Sequence, residues 1–169
     1  MACSVQLSSY QLGECFTSKG GIKAIWLANY VDNAFTLTTG GTVSGFATGI
    51  TWYKQELRRG TGSMTSTFNY DEGNGSSFIQ TDAVIQYSKM AKDNRIQANA
   101  LIKGDLLVVV EDENGTYYAL GTEEPVKGTA GTGETGTGRS DRNAYEITLS
   151  DYSSVFPPML DDSAISELE

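Results

Sequence analysis

The chain contains no histidine. The commonest general base and transition-metal ligand is therefore missing, which excludes Ser-His, Cys-His and His-metal schemes at once. Its two cysteines, Cys3 and Cys15, both lie in the first fifteen residues and form no CxxC pair, so a structural metal site has no support. The residues around them lack the basic flank and apolar stretch of a secretory leader, and ordinary thiols of a cytosol-made protein are expected rather than a disulfide. No segment approaches the roughly 18 apolar residues needed to span a bilayer, so an integral membrane protein is not expected. Cations are also scarce: 12 Lys and Arg stand against 21 Asp and Glu, for a net charge of −9. Tight wrapping of nucleic acid depends on Lys and Arg displacing counterions, and this balance argues against it.

What is present points to strands. The 169 residues suit one domain, and 9 Tyr, 6 Phe and 2 Trp are too many aromatics for a disordered chain. Nineteen Gly beside 3 Pro, with abundant Thr and Ser, favour short strands and turns over a helical bundle. The expected organisation is an N-terminal arm at 1–21, a mainly β domain at 22–158, and an acidic C-terminal tail at 159–169. Pro157-Pro158 marks the end of the folded body. The tail holds Asp161, Asp162, Glu167 and Glu169 and no cation, and is expected to be solvated.

Within the domain, Ile22–Tyr30 reads as a buried strand, Ala34–Leu37 as a short one, and Thr42–Ile50 as a weak, Gly-interrupted one. Trp52–Leu57 precedes a turn at Arg59-Gly60-Thr61-Gly62. Met64, Ser66, Phe68 and Tyr70 then alternate with polar neighbours, as a half-buried strand does. After the turn at 71–75 the longest strand begins. Ile79, Thr81, Ala83, Ile85 and Tyr87 share one face, and Gln80, Asp82, Val84 and Gln86 the other. Together with Phe78 that second face is too mixed to be plainly wet, and either contact with another subunit or partial cover at a sheet edge would explain it. Residues 93–103 predict a short helix, with Asp93 as cap, Ile96 and Ala100 on one face, and Gly104 as stop. Leu106–Val110, Asn114-Gly115 and Thr116–Leu120 predict a hairpin with a two-residue turn. Residues 127–143 read as a flexible Gly/Thr-rich loop, and Ala144–Leu149 as a last strand.

Chemistry is sparse. The acids at 111–113 and 71–72 read as solvated turn residues, since adjacent acids on a strand end alternate faces and EF-hand spacing is absent. Gly131, Gly133 and Gly136 mimic a dinucleotide fingerprint, and Gly133, Gly138, Arg139 and Ser140 approach a P-loop. Both motifs need a helix to follow, and here a strand is expected. Asn74-Gly75-Ser76 and Asn114-Gly115-Thr116 have the form of glycosylation sequons and read as turns. The strand aromatics could make a sugar-stacking platform, but cross-strand and core packing account for them more simply. No cofactor is expected, and no enzyme.

The segment from Gly60 to Thr67, the hairpin from Leu107 to Tyr118, and the Gly/Thr run leading into Arg142–Leu149 together resemble the tail tube proteins of tailed bacteriophages, over roughly residues 22–158. The resemblance implies a β-sandwich or barrel with one flanking helix, self-assembly into hexameric rings, and stacking of those rings through loops and arms. It implies a virion protein, assembled in the host cytoplasm beside other tail proteins. DNA would pass without specific contact through an acidic lumen. The residues it nominates for the subunit interface are Trp52, Phe68, Tyr70, Phe78, Gln80, Asp82, Val84 and Gln86. For ring stacking it nominates Thr132, Glu134, Arg139 and Arg142. Residues 38–50 are shorter and more Gly-rich than such a protein's long hairpin. Other virion parts remain open as alternatives, namely a neck or tail-completion ring or a head decoration protein, as does a glycan-binding sandwich module.

Overall fold

The structure, a computed structural model, describes residues 7–10 and 17–168. Cys3 and Cys15 lie outside the described residues, as does most of the expected arm. The described strands are β1 (Ile22–Asn29), β2 (Phe35–Leu37), β3 (Val43–Phe46), β4 (Tyr53–Glu56), β5 (Ser63–Asp71), β6 (Ser76–Ser88), β7 (Leu106–Asp112), β8 (Tyr117–Leu120), β9 (Lys127–Glu134) and β10 (Ala144–Ser153). Two helices accompany them, α1 (Lys92–Lys103) and α2 (Asp162–Ser166). Two four-stranded antiparallel sheets result, ordered β4-β1-β7-β8 and β5-β6-β10-β9, with β2 and β3 as a separate ribbon. The protein is mainly β, as its composition implies.

Sheet burial follows the residue pattern. The run Leu106–Val110 has no polar alternation because β7 is buried on both faces. Val108 and Val110 point toward Ile85, Ile147 and Leu149 of the second sheet and form the sandwich core with Ile25, Leu120 and Val126. Val109, with Trp26 and Ala119, faces the other way into a second core closed by Val43, Leu160, Ala164 and Leu168. Each such buried aliphatic side chain contributes about 1.5–3 kcal/mol. In β6 the expected alternation holds: Ile79, Thr81, Ala83, Ile85 and Tyr87 are buried, while Gln80, Asp82, Val84 and Gln86 are half-buried on the opposite face.

Four local expectations are corrected. The β7–β8 turn has three residues, 113–115, closed by Asp112 N–H donating to Thr116 O at 3.0 Å. Gly115 alone carries positive φ (81°), so the Asn-Gly pair supplies one left-handed residue and not two. Helix α1 is present, but Ala91 is its N-cap, with no side-chain bond, and Asp93 lies within the first turn. Its buried face is Ala98 and Leu101, while Ile96 is exposed. Third, the Gly/Thr run is no loop over its first half: Lys127–Glu134 is β9, paired along β10. Only 135–143 is a connection. Even that is organised, since Asp141 accepts from Thr137 N–H at 2.8 Å and Gly138 N–H at 2.5 Å, bonds that hold its carboxyl below the usual range.

Fourth, the acidic segment after Pro158 is no solvated tail. Val43 N–H donates to Met159 O (2.8 Å), Leu160 N–H to Tyr117 O (3.0 Å) and Asp161 N–H to Val43 O (2.9 Å), which tie the segment to the ribbon and to β8. Asp161 caps α2 through Ser163 and Ala164 N–H. Glu167 accepts from Phe46 N–H at 3.1 Å. These acids serve the fold.

One buried acid makes stability depend on pH. Asp151 is 1% exposed and accepts from Gly121 N–H at 3.1 Å. Burial, reinforced by the nearby Glu123 and Glu124, outweighs that bond and pushes its carboxyl up to about 6. A proton is thus held more tightly in the folded chain than in the unfolded one. The associated stability is complete below the ordinary value of 3.8 and is lost as pH rises through about 6. The rise is worth about 3 kcal/mol. Asp151→Asn is expected to remove this slope while keeping an oxygen for Gly121 N–H. In urea unfolding it should gain on the parent chain between pH values near 4 and near 7, and a constant difference between the two would contradict the assignment.

Candidate assembly surface

The second sheet offers a face and two edges that no other element among the described residues covers. Its outer face is built from alternate residues of β5, β6 and β10. The register places Thr65 opposite Asp82, Thr67 opposite Gln80, Tyr152 opposite Gln80 and Ser150 opposite Asp82. Gln80 Nε2 donates to Asp82 at 3.0 Å, Ser150 Oγ donates to the same carboxylate at 2.5 Å, and Ser150 shares a hydrogen bond with Thr129 at 2.8 Å. This network fixes the amide and hydroxyl groups in one flat layer.

The edges differ in how they are defended. On the first sheet, β8 is covered by 158–160, because Ala119 N–H donates to Pro158 O at 2.9 Å. β4 is four residues long and carries Lys54 and Glu56, a short and charged edge. β9 has Lys127 and Glu134 at its ends. β5 is different: nine residues, SMTSTFNYD, with no proline and no charge before Asp71, and no strand on its far side. An uncharged, exposed edge of that length is a template for another strand.

The nominated interface residues do not form one surface. Phe78, Gln80, Asp82, Val84 and Gln86 do share the outer face of β6. Phe68 lies opposite Ile79 and so belongs to the inner face, with Tyr70, where the hairpin runs beyond the cover of the first sheet. Both are exposed, at 58% and 65%, with their rings near-parallel at 6.4 Å. Phe78 meets Tyr152 at 5.9 Å on the other face. The blade of the hairpin is thus aromatic on both sides. Trp52 is elsewhere altogether, its ring tilted against that of Phe46 at 4.9 Å in the second core.

The stacking residues are also separated. Thr132 and Glu134 are on β9, and Arg142 bridges Glu134 and Glu146, the latter at 2.5 Å. Arg139 is exposed and makes no ion pair among the described residues. Gly131 and Gly133 lie in a strand and another strand follows, so neither nucleotide-motif lookalike has its helix. The clefts flanking α1 hold about 190 and 170 Å³, below the roughly 300–1,000 Å³ usual for small-molecule sites. Sequence reasoning missed β9 as an edge, since Lys127–Glu134 has no apolar alternation to reveal it.

The fold and its open edges define a mainly β sandwich with a surface suited to strand addition. No family model matches the chain, and neither a curated protein nor a solved structure is significantly similar to it.

Proposed function

We propose that this chain is a structural subunit that assembles with copies of itself, in the manner of a phage tail tube protein, into stacked hexameric rings around an acidic conduit for DNA. The observation that carries the reading is the undefended β5 edge. A nine-residue strand paired with β6 on one side only, with no gatekeeping charge before Asp71 and a projecting aromatic hairpin, gains by pairing its other side with a neighbour, and closure of a ring removes the edge. The outer faces of β5, β6 and β10 suit a DNA conduit, because they carry Asp82 and Glu146 and no Lys or Arg. The one cation bound to these acids among the described residues, Arg142, is held between Glu134 and Glu146, which leaves it little charge to offer a phosphate.

Thr67→Lys tests the reading. The position is exposed on the edge strand, so its effect on the isolated subunit should stay within about 0.5 kcal/mol. Negative-stain microscopy and sedimentation velocity should show rings for the parent chain and only monomers for the variant. Monomeric parent protein at high concentration, with other virion components present, would sink the proposal. Rings that never stack into tubes would instead favour a neck, tail-completion or head decoration part.

A glycan-binding module is the second reading, and the exposed, near-parallel Phe68 and Tyr70 favour it. A glycan array decides, with loss of any signal in Phe68→Ala/Tyr70→Ala. Trp52 is packed in the second core and is a poor reporter of such binding.

A further inference from the structure

The two ends of the second sheet are chemically opposite. At the end where β5 turns into β6 and β10 finishes, the exposed side chains are Phe68, Tyr70, Phe78, Tyr152, Val155 and Phe156. Acids border them: Asp71 and Glu72 in the hairpin turn, and Glu123 and Glu124 in the connection that enters β9. Glu123 is fixed there by Ser154, whose N–H donates to it at 3.0 Å and whose Oγ donates at 2.5 Å.

At the other end lie the 57–62 crossing, the start of α1 and the 135–143 connection. Lys89 N–H donates to Asn143 O at 2.7 Å and Met90 N–H to Asn143 Oδ1 at 2.8 Å, which holds the last two segments side by side. Arg58, Arg59, Lys89, Lys92, Arg95 and Arg139 stand here, all exposed and none in an ion pair among the described residues. In a chain of net charge −9, half of the 12 cations are thus gathered, unpaired, at one end of one sheet.

Resting on the self-assembly reading above, we infer that copies of this chain dock end to end along the strand axis, the acidic aromatic end of one on the cationic rim of the next. The occupant of each end is a second copy, because the chain itself supplies the complementary charge. Arginine also stacks well on exposed aromatic faces. The contact is heterologous, so it propagates into a stack instead of closing on itself. Nucleic acid is the competing partner for the cationic rim. The overall charge opposes it, and the aromatic end would still be left uncovered.

A pair of charge-reversed variants tests the inference. Arg58→Glu/Arg59→Glu/Lys92→Glu/Arg95→Glu leaves Lys89 and Arg139 against four new acids, so both ends are acidic, and Glu72→Lys/Glu123→Lys/Glu124→Lys leaves Asp71 against three new cations, so both are basic. All seven positions are exposed, and circular dichroism melts check that each variant folds. In microscopy each variant alone should stop at unstacked rings, with long stacks lost. An equimolar mixture should restore stacks with the two variants alternating, since each then meets its opposite charge. Raising salt should shorten the parent stacks. Stacks formed by either variant alone as well as by the parent, or no recovery in the mixture, overturns the inference while leaving ring formation standing. Retardation of duplex DNA by the parent chain, lost in Arg58→Glu/Arg59→Glu/Lys92→Glu/Arg95→Glu, also overturns it and assigns the rim to nucleic acid. A parent chain that forms no rings fails the underlying reading instead.

Discussion

Cutting the chain after Pro158 is expected to unfold it, not to trim it. The removed segment carries Leu160, Ala164 and Leu168, which close the second core over Trp26, Val109 and Ala119. Ala164 is wholly buried. The cut also removes Leu160 N–H, which pairs with Tyr117 O on the edge of β8, and exposes the β7 face on which Val109 lies. A single Leu→Ala change in such a site costs about 2–5 kcal/mol, and a domain of this size commonly has only about 5–15 kcal/mol in total. Loss of three apolar contacts and of part of the edge cover should therefore leave a chain that binds a hydrophobic dye and aggregates. Leu160→Ala should fold with a urea midpoint lowered by the equivalent of about 3 kcal/mol. Asp162→Asn, which alters an exposed charge and no packing, should change nothing. Were the segment a solvated tail, all three chains would unfold together with the parent.

The signals that misled on this segment are instructive. Leu160, Ala164 and Leu168 recur at i, i+4 and i+8, the spacing of one helix face, and Asp161 stands just after the first of them as a cap. That pattern was legible. The acidic count and Pro157-Pro158 pointed the other way, and composition cannot say whether a carboxylate is solvated or holds a backbone N–H, as Glu167 holds that of Phe46. The elements that were read correctly had a single consistent period. β6 alternates over its length, and Leu106–Val110 has a length and β-branched content that fit a doubly buried strand. Helix α1 was found from its length and its stop. Its face was not, because Ile96 is exposed while Ala98 and Leu101 meet the core.

The candidate surface was legible to the same degree and for the same reason. The outer row Phe78, Gln80, Asp82, Val84 and Gln86 follows from period two alone. Whether Phe68 joins it depends on the register across the 71–75 turn, and that register pairs Phe68 with Ile79. Trp52 was misplaced because nothing local tells that β4 belongs to the other sheet and that Phe35 and Phe46 will reach the Trp52 ring. The cationic rim is the clearest case: Arg58, Lys89 and Arg139 are spread over 82 positions, and only the antiparallel order of β5, β6 and β10 brings their turns to one end.

Gly128→Val is expected to drive α1 off the sheet. A Cβ at this position would lie 2.8 Å from Ile102 Cα and 2.9 Å from Leu101 O, both backbone atoms that cannot swing aside. The helix must then retreat, withdrawing Leu101 from the sandwich core, and overpacking of this kind costs about 1–3 kcal/mol, with valine at the upper end. Two neighbours on the same strand separate this from a general intolerance of side chains. At Gly131 a Cβ would press on Ile102 Cδ1, at 3.2 Å, the far end of a flexible side chain, and would meet Glu146 O and Ile102 Cγ1 at an ordinary 3.8 Å, so Gly131→Ala should lose much less. Ala130 is exposed, and Ala130→Val should be neutral or slightly stabilising through β propensity. A rank order of Gly128→Val well below Gly131→Ala, with Ala130→Val level with the parent, is the expected result in thermal melts. It would also explain why the run Lys-Gly-Thr-Ala-Gly-Thr-Gly imitates a linker. Glycine in a strand serves the close approach of another backbone as readily as it serves flexibility, and from composition alone the two uses look the same. If all three variants instead melted together with the parent, β9 would not be packed beneath α1, and the residues from 127 onward would be the flexible loop that their composition suggests.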